Sequence, residues 1–288
     1  MPDSTTPRWV DDAVPLLIEL IQNACVNTGD PESGGEIRSV RSIQKYLGED
    51  GVVVEPLPGR ASVIYRIPGK SPDAPRLLLI PHLDVVPANE EDWSVPPFAG
   101  ADMDGFVWGR GTVDMLNVTA AMVVVFRAMR DGLVPTPAGD VILAAVADEE
   151  AGGTYGAAHL VEHHWDLVAC DFVLTEVAGP TLRGADTSSL PVTVAEKGPA
   201  WRQMTAHGIA GHGSQPYARS NAVLTLSEAF HLIGSEAQPV LVTDEWLRFV
   251  PHLPVDPDIA AMLTDADQID EAIERIAADD QTLARWIH

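Results

Sequence analysis

VILAAVADEE, residues 141–150, is the run on which the fold turns. Seven apolar residues stand together without alternation, and three acids follow at once. An unbroken apolar run of this length suits a strand buried on both faces. Upstream, RLLLI (76–80) is a second such run, and DFVLTE (171–176) downstream is a third. Between the first two lies VTAAMVVVFRAMRDG (118–132), long enough for a helix and stopped by Gly132. Between the last two lies GTYGAAHLVEHH (153–164), also read as a helix. Strand, helix, strand, helix, strand predicts an α/β fold: a mainly parallel sheet flanked by helices, with right-handed crossovers. Working outward, WVDDAVPLLIELIQNACV (9–26) has helical spacing with Pro15 in its first turns. EIRSVRSIQKYLG (36–48) is a second helix, stopped by Gly48. VVVEPL and ASVIYRI, between 52 and 67, read as strands.

The chain has 288 residues, which suits two domains or one large one. A chain of this length buries roughly three quarters of its unfolded surface and needs no disulfide staples. Apolar residues make up 46% and charged residues 21%, which fits a globular protein. The net charge of −24 would repel a phosphate backbone or an anionic membrane, so neither nucleic acid nor membrane is an expected partner. It would attract cations. Cys25 and Cys170 stand far apart with no CxxC, which fits buried thiols. The acidic start (Asp3, Asp11, Asp12) is no signal peptide, and no run approaches the ~20 apolar residues of a membrane span. A cytoplasmic location is the expectation. Composition loosens around 178–196, which places a domain boundary near 190: a catalytic portion over 1–190 and a second domain over 191–288. In the latter, 199–209 reads as strand, 221–234 as helix, and the acidic 256–288 as a solvated pair of surface helices.

In an open α/β sheet, ligands bind beyond the carboxyl ends of the strands. The residues that follow each apolar run are chemically rich. His82 and Asp84 follow RLLLI, Asp148, Glu149 and Glu150 follow VILAAVA, and Glu176 ends DFVLTE. Asp114 ends WGRGTVD at the mouth of the 118–132 helix, where the dipole favours an anion. Alone, each has a bland reading: Glu149–Glu150 as a charged loop, Asp84 as a turn residue, His82 as a structural histidine. Their shared position at strand ends argues otherwise. One imidazole and several carboxylates repel too strongly to share a rim as bare charges, and divalent cations relieve this. The nitrogen and oxygen donors suit zinc, with cobalt or manganese as alternatives. The surplus of carboxylates suggests two ions ~3.5–4 Å apart sharing a bridging carboxylate. A carboxylate left over can act as a general base.

PHLDVVPANEEDWSVPPFAGADMDGFVWGRGTVDM (81–115) resembles the first metal-binding stretch of the M20 family of dinuclear zinc peptidases and amidohydrolases. ADEEAGGTYGAAHL and DFVLTEVAG resemble its second and third motifs, and GHGSQPYARSNAV the signature of its inserted lid, or dimerisation, domain. The resemblance spans roughly residues 10–235. It implies that His82 and Glu176 hold one zinc, Asp114 bridges, and Glu150 holds the second. It implies that Glu149 is the general base, that Asp84 orients His82, and that His212 steadies the oxyanion in a neighbouring subunit's site. It further implies a small peptide or N-acyl amino acid as substrate and a homodimer. Two departures stand out. Leu116 occupies a position where the family commonly has lysine. The family's late histidine, the last ligand of the second zinc, has no counterpart before His288, and His231 and His252 are poor substitutes. The chain therefore reads as a C-terminally truncated member, expected to hold at most one ion tightly and to hydrolyse little. The alternative is an incomplete fragment that acts only as a binding or dimerisation module.

Other motifs are set aside. His159-Leu-Val-Glu-His163 has inverzincin spacing but reads as the polar face of a helix. Gly109-Arg-Gly111 lacks the third glycine of a nucleotide loop. Asp102-Met-Asp104-Gly105 reads as a hairpin turn and not as a calcium loop. No G-x-S-x-G occurs.

Overall fold

The computed structural model describes residues 8–135, 137–176, 181–183, 188–193, 202–215, 217–236 and 239–288. The chain forms two compact units, Met1–Glu176 and Val177–His288. Much of the compositionally loose stretch around 178–196, and the start of the strand expected at 199–209, lies outside the described residues.

The first unit opens with a short 3-10 turn and α1 (Ala13–Gln22), with Pro15 near its start, and continues with α2 (Ile37–Leu47). Gly48 ends α2 at φ +112°, a conformation that glycine adopts freely. Then come β1 (Val52–Leu57) and β2 (Arg60–Ile67), joined through Pro58 and Gly59. β3 (Leu77–Leu79) leads to the hairpin β4 (Ala101–Met103) and β5 (Phe106–Trp108), whose turn is Asp104–Gly105, both at positive φ. α3 (Leu116–Arg130), β6 (Val141–Ala145), α4 (Ala157–His163), α5 (Trp165–Val168) and β7 (Phe172–Leu174) complete the unit.

The five strands order as β1-β2-β6-β3-β7. β3 runs parallel to both β6 and β7, whereas β2 is antiparallel to both β1 and β6. The sheet is thus mixed, its parallel part formed by the three runs singled out in the sequence. β6 is central and wholly buried. Its alternate residues feed two cores. Val141, Leu143 and Ala145 join the core that includes α1, α2 and α3, while Ile142 and Ala144 join Leu160 and Val168 on the other face. β7 departs from the expectation of a strand buried on both faces. Among the described residues it pairs only with β3, and Phe172, Val173 and Leu174 are all exposed.

In the second unit, residues 202–210 form no strand. β8 (Leu182–Arg183) pairs with β9 (Ser188–Ser189), and α6 (Ala222–Ser235) is capped by the Asn221 side chain but buries no residue. α7 (Asp244–Phe249), α8 (Pro257–Met262), α9 (Ile269–Asp279) and α10 (Gln281–Ile287) follow. The acidic C-terminal stretch is more than a solvated helix pair. Its three helices direct Ile259, Ile276 and Leu283 inward to a core with Leu182, Val250 and Leu263.

Candidate metal centre

The first unit brings His82, Asp114, Glu149, Glu150 and Glu176 together from four segments. The stretch after β3 pairs with the stretch after β6. His82 and Val146 form a parallel bridge, and Leu83 N–H donates to the Val146 carbonyl at 2.9 Å. α3 fixes the same segment, since the Thr119 hydroxyl donates to the His82 carbonyl at 2.9 Å. Glu176 follows β7, the parallel neighbour of β3. Asp114 lies just before α3.

His82 is 1% exposed. Its Nδ1 lies 2.9 Å from the Asp84 carbonyl oxygen, so Nδ1 donates and Nε2 is left facing the acids. Nε2 lies 3.1 Å from Glu176, 3.2 Å from Asp114 and 3.7 Å from Glu149. Two sets of ligand atoms converge, His82 with Glu149 and Glu176, and His82 with Asp114 and Glu150. Burial lowers the affinity of His82 for a proton, but the Asp84 hydrogen bond and the charges of Asp84, Glu149 and Glu176 outweigh it and raise its pKa to about 10. Burial pushes the Glu150 carboxyl up to about 6, with Asp114 adding to the rise, and it lifts Glu149 and Glu176 as well. Mutually repelling acids around a single imidazole nitrogen fit a divalent cation. The donor set is that of a nitrogen- and oxygen-ligated metal.

Asp84, 0% exposed, serves four neighbours. Its carbonyl meets His82, with its Oδ1 3.6 Å from Nδ1. Its carboxylate accepts the backbone N–H groups of Glu149 and Glu150, each at 3.1 Å, and the Asn27 amide at 2.8 Å. Burial alone would raise its pKa, but the His82 and Asn27 hydrogen bonds hold it below the usual carboxylate range. His212 lies in the second unit, exposed, with Nδ1 2.8 Å from the Ser214 hydroxyl. The His159 ring lies tilted against that of His163 (centroids 4.6 Å) and 5.5 Å from that of His164. The converging acid and histidine groups among the described residues are the two that share His82.

The sequence reading passed over Asn27, Glu36 and Arg60. Arg60 is 1% exposed and pairs with Asp148 at 2.5 Å and with Glu36 at 3.1 Å. A cavity of about 410 Å³ opens beside the acids, lined in part by Trp93, Phe106, Trp108, Arg110, Asp114 and Glu150.

The profile of peptidase family M20/M25/M40 matches residues 78–279, which include every residue of the converging groups. The chain belongs to this family. Among its M20 relatives, pig (Sus scrofa) aminoacylase-1 is 31% identical over 189 residues, 65% of this chain and 45% of that protein. The succinyl-diaminopimelate desuccinylase of Paracoccus denitrificans (strain Pd 1222) is 33% identical over 154 residues, 52% of this chain and 38% of that one. The chain thus spans less than half the length of either. An M20 family metallo-carboxypeptidase from Sulfolobus solfataricus superposes with a TM-score of 0.62 over 86% of this chain and 58% of that structure. At 17% identity, that match speaks to the M20 fold alone.

Proposed function

We propose that the protein is a zinc-dependent hydrolase of amide bonds next to a free carboxylate, acting on small peptides or N-acyl amino acids. The convergence of His82 Nε2 with carboxylates from three other chain segments carries this reading, and the aminoacylase and desuccinylase relatives support the amide chemistry. His82, Asp114, Glu150 and Glu176 would hold the metal, with Asp114 as the bridging carboxylate that the family resemblance implies. Cobalt and manganese are alternative ions. A bound divalent ion supplies Lewis acidity to the scissile carbonyl and lowers the pKa of water.

The rest is the work of the chain. Glu149, half-exposed at the open side of the cluster, removes the proton of the attacking water and returns it to the departing nitrogen. Its raised pKa brings it toward the range in which a base can also act as an acid. The Asp84 carbonyl holds the His82 tautomer that leaves Nε2 to the ligand side. The first unit is the catalytic portion in this reading. The second is part of a lid, in which His212 steadies developing oxyanion charge. The apolar side chains exposed along α6, among them Leu224 and Phe230, support pairing of two such lids in a homodimer.

The test is a panel of N-acyl amino acids and dipeptides, with zinc, cobalt or manganese added, assayed for release of free amine. In the full-length protein, metal-dependent turnover that is lost in Glu149→Gln is the expected result. Absence of turnover on every amide by the full-length, metal-loaded protein counts against the proposal.

A further inference from the structure

Asp148 stands immediately before the glutamate pair at φ +70°, a left-handed conformation that non-glycine residues adopt only when their surroundings hold them there. Three groups hold it. Arg60 donates to its Oδ1 at 2.5 Å, the Asn27 amide donates to the same oxygen at 3.1 Å, and the Tyr155 N–H donates to its Oδ2 at 3.0 Å. The Asn27 amide nitrogen also donates to Asp84 Oδ2 at 2.8 Å. Asp84 in turn accepts the N–H groups of Glu149 and Glu150.

Asn27 therefore sits between the acid that precedes the glutamate turn and the acid that underlies it. An amide nitrogen carries two hydrogens, and both are used. Its Oδ1 is used as well, accepting from Gly29 N–H at 3.0 Å and from the Ser33 hydroxyl at 3.4 Å. The amide has one satisfied orientation. Asn27, Asp84, Asp148 and Arg60 are all buried, so water does not replace a lost bond.

We propose that Asn27 is a positioning residue for the metal centre, holding the Glu149–Glu150 turn in ligating geometry through Asp84 and Asp148, with Arg60 securing Asp148 from behind. The proposal rests on the metal-binding reading above. It goes beyond it by placing control of the glutamates on a residue of the α1–α2 connection that faces no ligand.

Asn27→Asp is the sharpest probe. It is nearly isosteric, and it replaces both donors with acceptors facing two carboxylates. The 288-residue wild type and the Asn27→Asp, Asn27→Ala, Arg60→Met and Arg60→Lys variants are titrated with Co²⁺. Visible absorption reports ligand geometry, and circular dichroism and thermal melting report the fold. Outer partners of metal ligands typically control affinity by about 10–100-fold. A loss of that order with an altered Co²⁺ spectrum is expected in Asn27→Asp, a smaller one in Asn27→Ala, and partial recovery in Arg60→Lys relative to Arg60→Met. If Asn27→Asp does not fold, Asn27→Ala and Arg60→Lys decide. Folded variants that bind Co²⁺ with wild-type affinity and spectrum, and merely melt earlier, overturn the positioning role and leave the metal reading intact. A wild-type protein that takes up no Co²⁺ sinks both.

Discussion

Replacing Glu36 with glutamine should stabilise the protein at alkaline pH and leave it nearly unchanged in acid. Glu36 is 0% exposed, and neither carboxylate oxygen has a hydrogen-bond partner among the described residues. Its single favourable charge contact is Arg60 at 3.1 Å, which Asp148 already holds at 2.5 Å. Two buried carboxylates thus share one guanidinium. Burial lifts the Glu36 pKa from 4.5 to about 7, and the Glu36 backbone N–H and then the Arg60 charge only partly oppose the rise. The folded state therefore binds the Glu36 proton more tightly than the unfolded state does. This contribution to stability is complete below about pH 4.5, declines as pH rises toward 7, and is gone above it. At about 1.36 kcal/mol per pH unit, the interval amounts to about 3 kcal/mol. For a unit of this size, that corresponds to about 6–12 °C in melting temperature. Glutamine keeps the shape and does not titrate. Any cost of placing its amide beside Arg60 is independent of pH and cancels from the comparison. Thermal melts of wild type and Glu36→Gln, at pH 5 and pH 8 with chelator present, read the difference directly. The variant should gain on wild type by several degrees between the two. An offset equal at both pH values, or a wild type that gains, would refute the reasoning.

Glu150→Gln should weaken metal binding, whereas Glu149→Gln should keep the metal and lose hydrolysis by about 10²–10⁴-fold, as removal of a general base does. Equal metal loss in both, measured by elemental analysis, reverses the assignment. Leu143→Ala empties the centre of the wholly buried β6 and should cost about 2–5 kcal/mol in denaturant unfolding; a cost below about 1 kcal/mol would contradict its central place. Trp108→Ala opens one wall of the cavity beside Asp114 and Glu150, so kcat/KM should fall on substrates with bulky apolar groups and hold on acetylated ones. An equal fall on both would remove the cavity from substrate recognition.

Much of the site was legible because chemistry follows hydrophobicity along this chain. Each of the three parallel strands is an apolar run, so the polar residues after it stood out, and His82, Glu149, Glu150 and Glu176 all do. Strand direction was less legible, since an apolar run is the same read either way. That is why the antiparallel pairing of β2 with β6 could not be anticipated from periodicity. β7 misled for a related reason, as Phe172, Val173 and Leu174 have the composition of a buried strand and the exposure of an edge. The C-terminal helices looked solvated because acids dominate them, yet Ile269, Ile273 and Ile276 keep the three-to-four spacing of a buried stripe. Least legible were Asn27, Glu36 and Arg60, which join Asp84 and Asp148 in one web. Its members lie up to 121 residues apart, and those three are ordinary polar residues until the fold brings them together.

The most direct test is zinc content per chain after equilibrium dialysis, comparing wild type, His82→Ala and the double variant His159→Gln/His163→Gln. His82 presents one nitrogen to the carboxylates, so one ion should be held much more tightly than any other. That ion should be present in wild type, absent from His82→Ala and retained in the double variant. Zinc retained by His82→Ala, or lost from the double variant, would place the metal centre elsewhere.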